Sequence, residues 1–539
     1  MKKLKALVAG CLAAALLVGC GGGGDTASSN VFVMAKENDV STLDLKLAST
    51  GMDFEVLNAY CEGLVALDKD SKVIPALAES YTISDDQTVY TFKLRDAKWT
   101  NGDPVTANDF VYSWQRTITD GEDYKYFFTD DMACIKNGNE VYAGEMDVSE
   151  LGIKAVDDKT LEITLSKPTP YFLSLMAFPT AFPLNQKFVE EKGKDFATSA
   201  DTVLACGPYV LTNYVKGSTV EFKKNDTYWD AENVHLDGMK MNVVSDASTA
   251  SMDFESGNCD FTKINSSLVD KYKDDERYSS YLEGYLWFLQ FNIANNKTDT
   301  PLANANIRKA ISLSIDREDL CNNVLKDGSI SARGFVPAKF AFGPDEKDYA
   351  ETADNLISND AAEAKKYWEA GLKELGVTSL ELNLLHETSD PAKPAAEFIQ
   401  GQLEKNLPGL KVTMTGVEKK VRTTKQQDGD FDITLTRWGP DYADPTTYLT
   451  LLTTGHFFNY GNWSNSEYDA KMKEVGSSTD VNARWQTCKD AEKLLLADGN
   501  APIAPLFQTG GASLISKQIT GLESHTFGTP YIYKNVVKK

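Results

Sequence analysis

The residues best placed to do chemistry in this chain are the two carboxylates of Trp438-Gly439-Pro440-Asp441-Tyr442-Ala443-Asp444-Pro445. An acid held on a stiff turn, beside an aromatic ring and a glycine that lets another backbone approach, suits a ligand carrying both a main chain and a positive charge. The same residues also admit a plainer use, in which Asp441 or Asp444 caps the helix after a strand-to-helix turn. The element that must position them is a strand, because Phe431, Ile433 and Leu435 alternate with polar residues. Gly439-Pro440 ends it, since proline lacks an N–H and pushes the residue before it out of the helical region. Asp441 therefore stands just past a strand's carboxyl end, which is where open α/β sheets bind ligands.

Other chemistry is poorly represented. His235, His386, His456 and His525 are far apart in polar contexts, and each is expected at the surface. The chain has no HExxH, GxSxG or Walker A motif, and Gly21 to Gly24 reads as linker. There is no CxxC and no Cys/His cluster with zinc spacing, so neither metal nor cofactor is expected. Glycosidase acids converge only in space and leave no fixed spacing to read, so a surface hydrolase stands as an alternative.

The N-terminus gives an address. Lys2, Lys3 and Lys5 precede an apolar run from Ala6 to Val18, so residues 1–19 read as a secretory signal, too short to span a bilayer as a mature helix. Leu17-Val18-Gly19-Cys20 resembles the bacterial lipobox, which makes Cys20 the expected lipidation site. Residues 20–30 then form a lipidated cysteine and a flexible tether with a reach of roughly 15–20 Å. Loss of three lysines with the signal takes the formal charge from −23 to about −26. Such a surface is repelled by nucleic acid and anionic lipid, so lipid chains must do the anchoring. Cys61, Cys134, Cys206, Cys259, Cys321 and Cys488 remain, and disulfides and buried thiols are both open. About 510 mature residues imply two or three domains.

Periodicity supplies an α/β pattern. A strand starts at Val31, a helix covers Asp53 to Leu64, and Tyr90, Phe92 and Leu94 alternate as a strand. Thr106 is placed to cap a helix. A helix runs to Ser314, and Asp316 with Asp319 can cap another to Lys326. Leu380, Leu382 and Leu384 mark a strand, Ala395 to Asn406 a helix, and Val412 with Met414 a further strand, which is βαβ-like winding.

Glu62-Gly63-Leu64-Val65, the run from Thr91 to Arg95, Asn101-Gly102-Asp103-Pro104-Val105-Thr106-Ala107 and the run from Asp109 to Arg116 resemble one family. It is the peptide-, nickel- and glycan-binding group of extracytoplasmic solute-binding proteins, family 5, that feed ABC importers. The resemblance continues through Cys206-Gly207-Pro208-Tyr209, Lys224 to Asp230, Leu289 to Asn292, Ile307 to Ile311 and Asp441 to Pro445, in shared order. It implies a two-lobe periplasmic-binding-protein-like α/β fold with a hinged cleft: lobe I from 31–61, 186–290 and 509–539, an extra domain at 62–185, and lobe II at 291–508. It further implies a monomeric, non-enzymatic receptor at the extracytoplasmic face of the bacterial membrane that hands short peptides to a permease. Asp441 would take the peptide's ammonium, and the backbone at Arg437 and Gly439 would pair with the peptide. Ser49-Thr50-Gly51 matches a strand that pairs from the other lobe, and Trp438 shapes the site or packs behind it. Oligosaccharides and nickel chelates are the alternative ligands within the family. No residue matches a partner for the peptide's carboxylate.

Overall fold

The computed structural model describes residues 30–295, 298–389, 391–496 and 500–539. The signal and the lipobox cysteine Cys20 lie outside the described residues. Two long antiparallel strands, Tyr278–Phe291 and Ile503–Ile515, organise the chain. At one end, Ile503–Ile515 pairs with Phe261–Ile264, which continues through Val31–Lys36 and Gly238–Val243 to Thr219–Lys224 and Tyr209–Val215. At the other end, Tyr278–Phe291 pairs with Ile433–Trp438, followed by Leu380–Glu387 and Leu410–Val417. The register between the two long strands breaks between Leu282 and Leu286, where both pass from one half of the molecule to the other.

Each half has its own apolar interior. The first joins the Val31–Lys36 side of the sheet to a four-stranded antiparallel sheet made by Ala78–Ile83, Val89–Leu94, Thr160–Thr164 and Ile153–Asp157. Helix Ala107–Asp120 seals that sheet because Ala107, Phe110, Trp114, Thr117 and Ile118 recur at helical spacing and are buried. The second half packs helices Ala305–Leu313, Ala361–Leu375 and Ala392–Asn406 on one face of its strands. A separate core, including Phe335, Tyr448, Tyr468 and Cys488, covers the other face. Parallel pairing of Leu380–Glu387 with Leu410–Val417 around helix Ala392–Asn406 is the βαβ unit that the leucine spacing implies. The fold is a two-lobe mixed α/β architecture.

Local expectations differ in three places. Ser49-Thr50-Gly51 does not run as a strand but opens helix Gly51–Tyr60. Thr50 Oγ1 accepts from Asp53 N at 3.2 Å and Asp53 Oδ2 accepts from Thr50 N at 3.2 Å, so a reciprocal cap fixes the turn. Two histidines expected at the surface are buried: His386, whose Nδ1 lies 2.7 Å from the Glu387 carbonyl, and His525, whose Nδ1 lies 2.9 Å from Ser71 Oγ. Burial holds His525 down at about 4, so it is neutral at physiological pH. The six cysteines among the described residues are all buried free thiols.

Candidate functional site

Strand Ile433–Trp438 brings the site together. Its ladder with Leu380–Glu387 covers only Ile433 and Thr434, so among the described residues Leu435 to Trp438 are paired on one edge alone, by Leu286–Leu289. An edge with unpaired N–H and C=O groups is a template for an added strand. The strand ends at Gly439, where a Cβ would run into the Tyr285 ring, so only glycine lets that ring cross the backbone.

Asp441 follows on the turn, partly exposed, with Tyr124 Oη at 3.4 Å from Oδ1. Its own amide reaches Thr447 Oγ1 at 3.4 Å, the same oxygen that accepts from Trp438 Nε1 at 3.3 Å. Among the described residues no cation pairs with this carboxyl. Desolvation pushes it up to about 7, against the smaller pull of the Tyr124 hydroxyl. The hydroxyls of Tyr124, Tyr126 and Tyr448 are raised in turn, by burial first and with the Asp441 charge contributing. A desolvated carboxyl that no cation among the described residues neutralises, with the Tyr124 hydroxyl beside it, has the chemistry to accept from a cation with several N–H donors, such as an ammonium.

Asp444, three residues on, does structural work. Arg484 Nη1 and Nη2 donate to its Oδ2 and Oδ1 at 2.7 and 2.8 Å, and Thr446 donates from N and Oγ1 at 3.0 and 2.7 Å. Asp444 is thus the acid tied into the start of helix Thr446–Leu449, whereas no cation among the described residues pairs with Asp441.

Both lobes contribute. Tyr124 and Tyr171 come from the 62–185 region, and Tyr171 stacks on Tyr442 with ring centroids 3.8 Å apart. Loop 526–530 bridges the two sides, since Gly51 packs against Pro530 while Gly284 packs against both Thr526 and Pro440. Ser49-Thr50-Gly51 connects to the Asp441 turn through this loop, and the amides of Ser49 and Thr50 are committed to Asp53. Trp438 is half-buried against Phe458, ring centroids 4.7 Å apart, and its backbone carbonyl lies 3.5 Å from Tyr448 Oη. The Arg437 side chain lies over the rings of Tyr285 and Trp287 at 5.2 and 4.9 Å.

Sequence reasoning missed Tyr124 and Tyr171. The aromatic run Tyr124-Lys125-Tyr126-Phe127-Phe128 was the available signal, being dense in rings for a stretch that is otherwise acidic. Among the described residues no three His, Cys, Asp or Glu side chains are grouped to hold a metal, and no helix is long and apolar enough to cross a membrane.

Residues 72–459 match the family described as bacterial extracellular solute-binding proteins, family 5. The dipeptide-binding protein DppE of Bacillus subtilis is 34% identical over 506 residues, 93% of this chain and 91% of the relative. The structure of Listeria monocytogenes OppA bound to peptide superposes with a TM-score of 0.78 at 40% identity, covering 95% of this chain and 100% of that one. The pheromone receptor PrgZ, described with its mode of peptide binding, gives 0.79 at 34% identity, with 95% and 100% covered. With the two-lobe fold, the open strand edge and a coverage that spans nearly every described residue, the chain belongs to the family 5 bacterial extracellular solute-binding proteins.

Proposed function

We propose that this protein binds short peptides between its lobes and delivers them to the permease of an ABC importer, without catalysing a reaction on them. The observation that carries the reading is Asp441, a desolvated carboxyl that no cation pairs with among the described residues, placed where the edge of Leu435–Trp438, unpaired among those residues, ends. Strand addition gives affinity for a main chain whatever its side chains, and the charged end fixes the register. Oligopeptide- and dipeptide-binding relatives support the choice of peptide over oligosaccharide or nickel chelate. The backbone at Arg437 and Gly439 pairs with the peptide, Trp438 walls the site, and Ser49-Thr50-Gly51 approaches from the first lobe. Lobe I comprises 31–61, 186–290 and 509–539, with the extra domain at 62–185, and lobe II 291–508. The lobes rotate as bodies about a few linker residues near 290 and 508. Mass spectrometry of what co-purifies with the native protein, followed by small-angle scattering with and without the recovered ligand, tests this. Intact peptides and a smaller radius on binding support the reading. Glycans, cleaved products or an unchanged radius at saturation defeat it.

The raised Asp441 carboxyl sets a pH dependence. It must ionise to pair with an ammonium, and it does so at about 7 in the free protein. Affinity should therefore rise with pH up to about 7 and decline above about 8, where the peptide's own α-amine, with a reference value near 7.7–8.0, loses its proton. Calorimetry at pH 6 in buffers of different ionisation enthalpy should show protons released on binding. Absence of that release would remove the ionisation step.

We also propose a lipid anchor on Cys20 that holds the protein at the extracytoplasmic face as a monomer. Because the acidic surface gives no electrostatic attraction to anionic lipid, Cys20→Ser should move the protein into the soluble fraction. Retention on membranes after that change would refute the anchor.

A further inference from the structure

Two cysteines of the first half meet across 145 positions of sequence. Cys61 closes helix Gly51–Tyr60, its amide 2.8 Å from the Leu57 carbonyl, and Cys206 stands just before strand Tyr209–Val215. Their backbones are tied together, because the amides of Cys206 and Gly207 both donate to the Tyr60 carbonyl, at 3.0 and 2.9 Å. A Cβ on Gly207 would fall 2.8–2.9 Å from the backbone O, C and N of Cys61. The two cysteines are 2% and 1% exposed, and their thiols are close enough to share a hydrogen bond. The other thiols lie apart. Cys259, Cys321 and Cys488 belong to three other apolar interiors, and Cys134 Sγ lies 3.5 and 3.7 Å from the carbonyls of Asp130 and Met132.

A member of an extracellular family folds where thiols can be oxidised. We propose that Cys61 and Cys206 join as a disulfide in the exported protein, a staple between the point where the chain leaves the main sheet's layer and the point where it returns. Between the two lie the whole four-stranded sheet and helix Ala107–Asp120, so the bond closes one long loop and removes much of the unfolded chain's freedom. The chemistry is exchange with an external disulfide, R–S–S–R, carried by a protein oxidase or a small thiol. One cysteine thiolate attacks it, forms a mixed disulfide and releases RS⁻. The second cysteine gives its proton to water, attacks the protein's sulfur and releases the other RS⁻, so the chain loses two hydrogens and R–S–S–R is reduced to two RSH. The exchange belongs to folding. Burial first, and the neighbouring Cys61 thiol after it, push the Cys206 thiol up in the folded chain, which leaves little thiolate to react there. The bond depends on the extracellular location and not on the ligand.

The test is peptide mapping by mass spectrometry on the full chain isolated from the cell envelope and denatured in iodoacetamide, with and without prior reduction. Without reduction, Cys61 and Cys206 should escape alkylation and appear as one linked pair about 2 Da lighter than the two thiol peptides together. Cys134, Cys259, Cys321 and Cys488 should be alkylated in the same sample. Alkylation of Cys61 and Cys206 without reductant overturns the proposal, and so does a link from either to another cysteine. Refolding the chain in oxidised and reduced glutathione should give the same link wherever the cell places the protein. No link in that buffer shows that the geometry does not admit the bond, and a link made there but absent from envelope protein shows that the cell does not make it. The double variant Cys61→Ala/Cys206→Ala should melt roughly 5–10 °C below the linked parent and ignore reductant, whereas reductant should bring the parent down toward the variant. A linked parent that melts alike with and without reductant overturns the stapling role.

Discussion

Asp441→Asn should weaken free peptides by roughly 30-fold to several thousand-fold, a cost of about 2–5 kcal/mol at tenfold per 1.4 kcal/mol. The substitution keeps the shape and an acceptor but deletes the charge, so an ammonium enclosed between lobes is left uncompensated. N-acetylated peptides should bind the parent protein poorly for the mirror-image reason, and the two losses should not add. The ligand-free protein should respond in the opposite direction. Its Asp441 carboxyl ionises at about 7, above the roughly 3.9 of an unfolded chain. The stability it contributes is thus fully present below about 4 and is lost as pH rises through 7. Above pH 7, Asp441→Asn should melt higher than the parent without peptide and gain less from peptide. Thermal melts and calorimetry on the four protein and ligand combinations read both signs. Harmless N-acetylation, or penalties that simply sum, would detach Asp441 from the ammonium.

The Asp441 turn was legible because its signals are local. Alternation at Ile433 and Leu435 and the Gly439-Pro440 break fix the strand and its end without help from elsewhere. The βαβ unit at 380–417 was legible for the same reason: a leucine alternation and a helical stripe each report one buried face. What escaped depends on distance. Tyr124 meets Asp441 across 317 residues, and no period or spacing ties the two. His525 lost its solvent to Ser71, 454 residues away. Its polar neighbours in sequence carried no hint of burial. The misreading at Ser49-Thr50-Gly51 is of another kind, because the signal was present. Thr50-Gly51-Met52-Asp53 has the reciprocal spacing of a helix cap, and Asp53 also gathers Ser41 N and Oγ, each at 2.7 Å. The division of labour between Asp441 and Asp444 could not come from the turn alone. It is decided by Arg484, which arrives from helix Val481–Leu496.

That arginine sets the second large effect. Asp444 and Arg484 are 4% and 3% exposed, and their paired contacts at 2.7 and 2.8 Å are backed by Thr446 on the acid and by the Val475 carbonyl, 3.2 Å from Arg484 Nε. The attraction of such a pair does little more than offset the cost of taking both ions out of water, whereas removing one partner strands the other. Asp444→Asn or Arg484→Met should therefore destabilise lobe II by about 3–5 kcal/mol. The double variant, with no charge left to bury, should lose less than the two single losses combined. Urea unfolding followed by the tryptophans of lobe II measures this, with the lobes treated as separate transitions. Because Asp444 closes the turn that carries Asp441, the single variants should also bind peptide more weakly, while the double variant, with the turn repacked without stranded charge, should recover part of that affinity. Single variants as stable as the parent would show that the pair is not what holds the turn. Single variants that unfold early yet bind normally would show that Asp441 is aimed by the Gly439-Pro440 backbone and Thr447 alone.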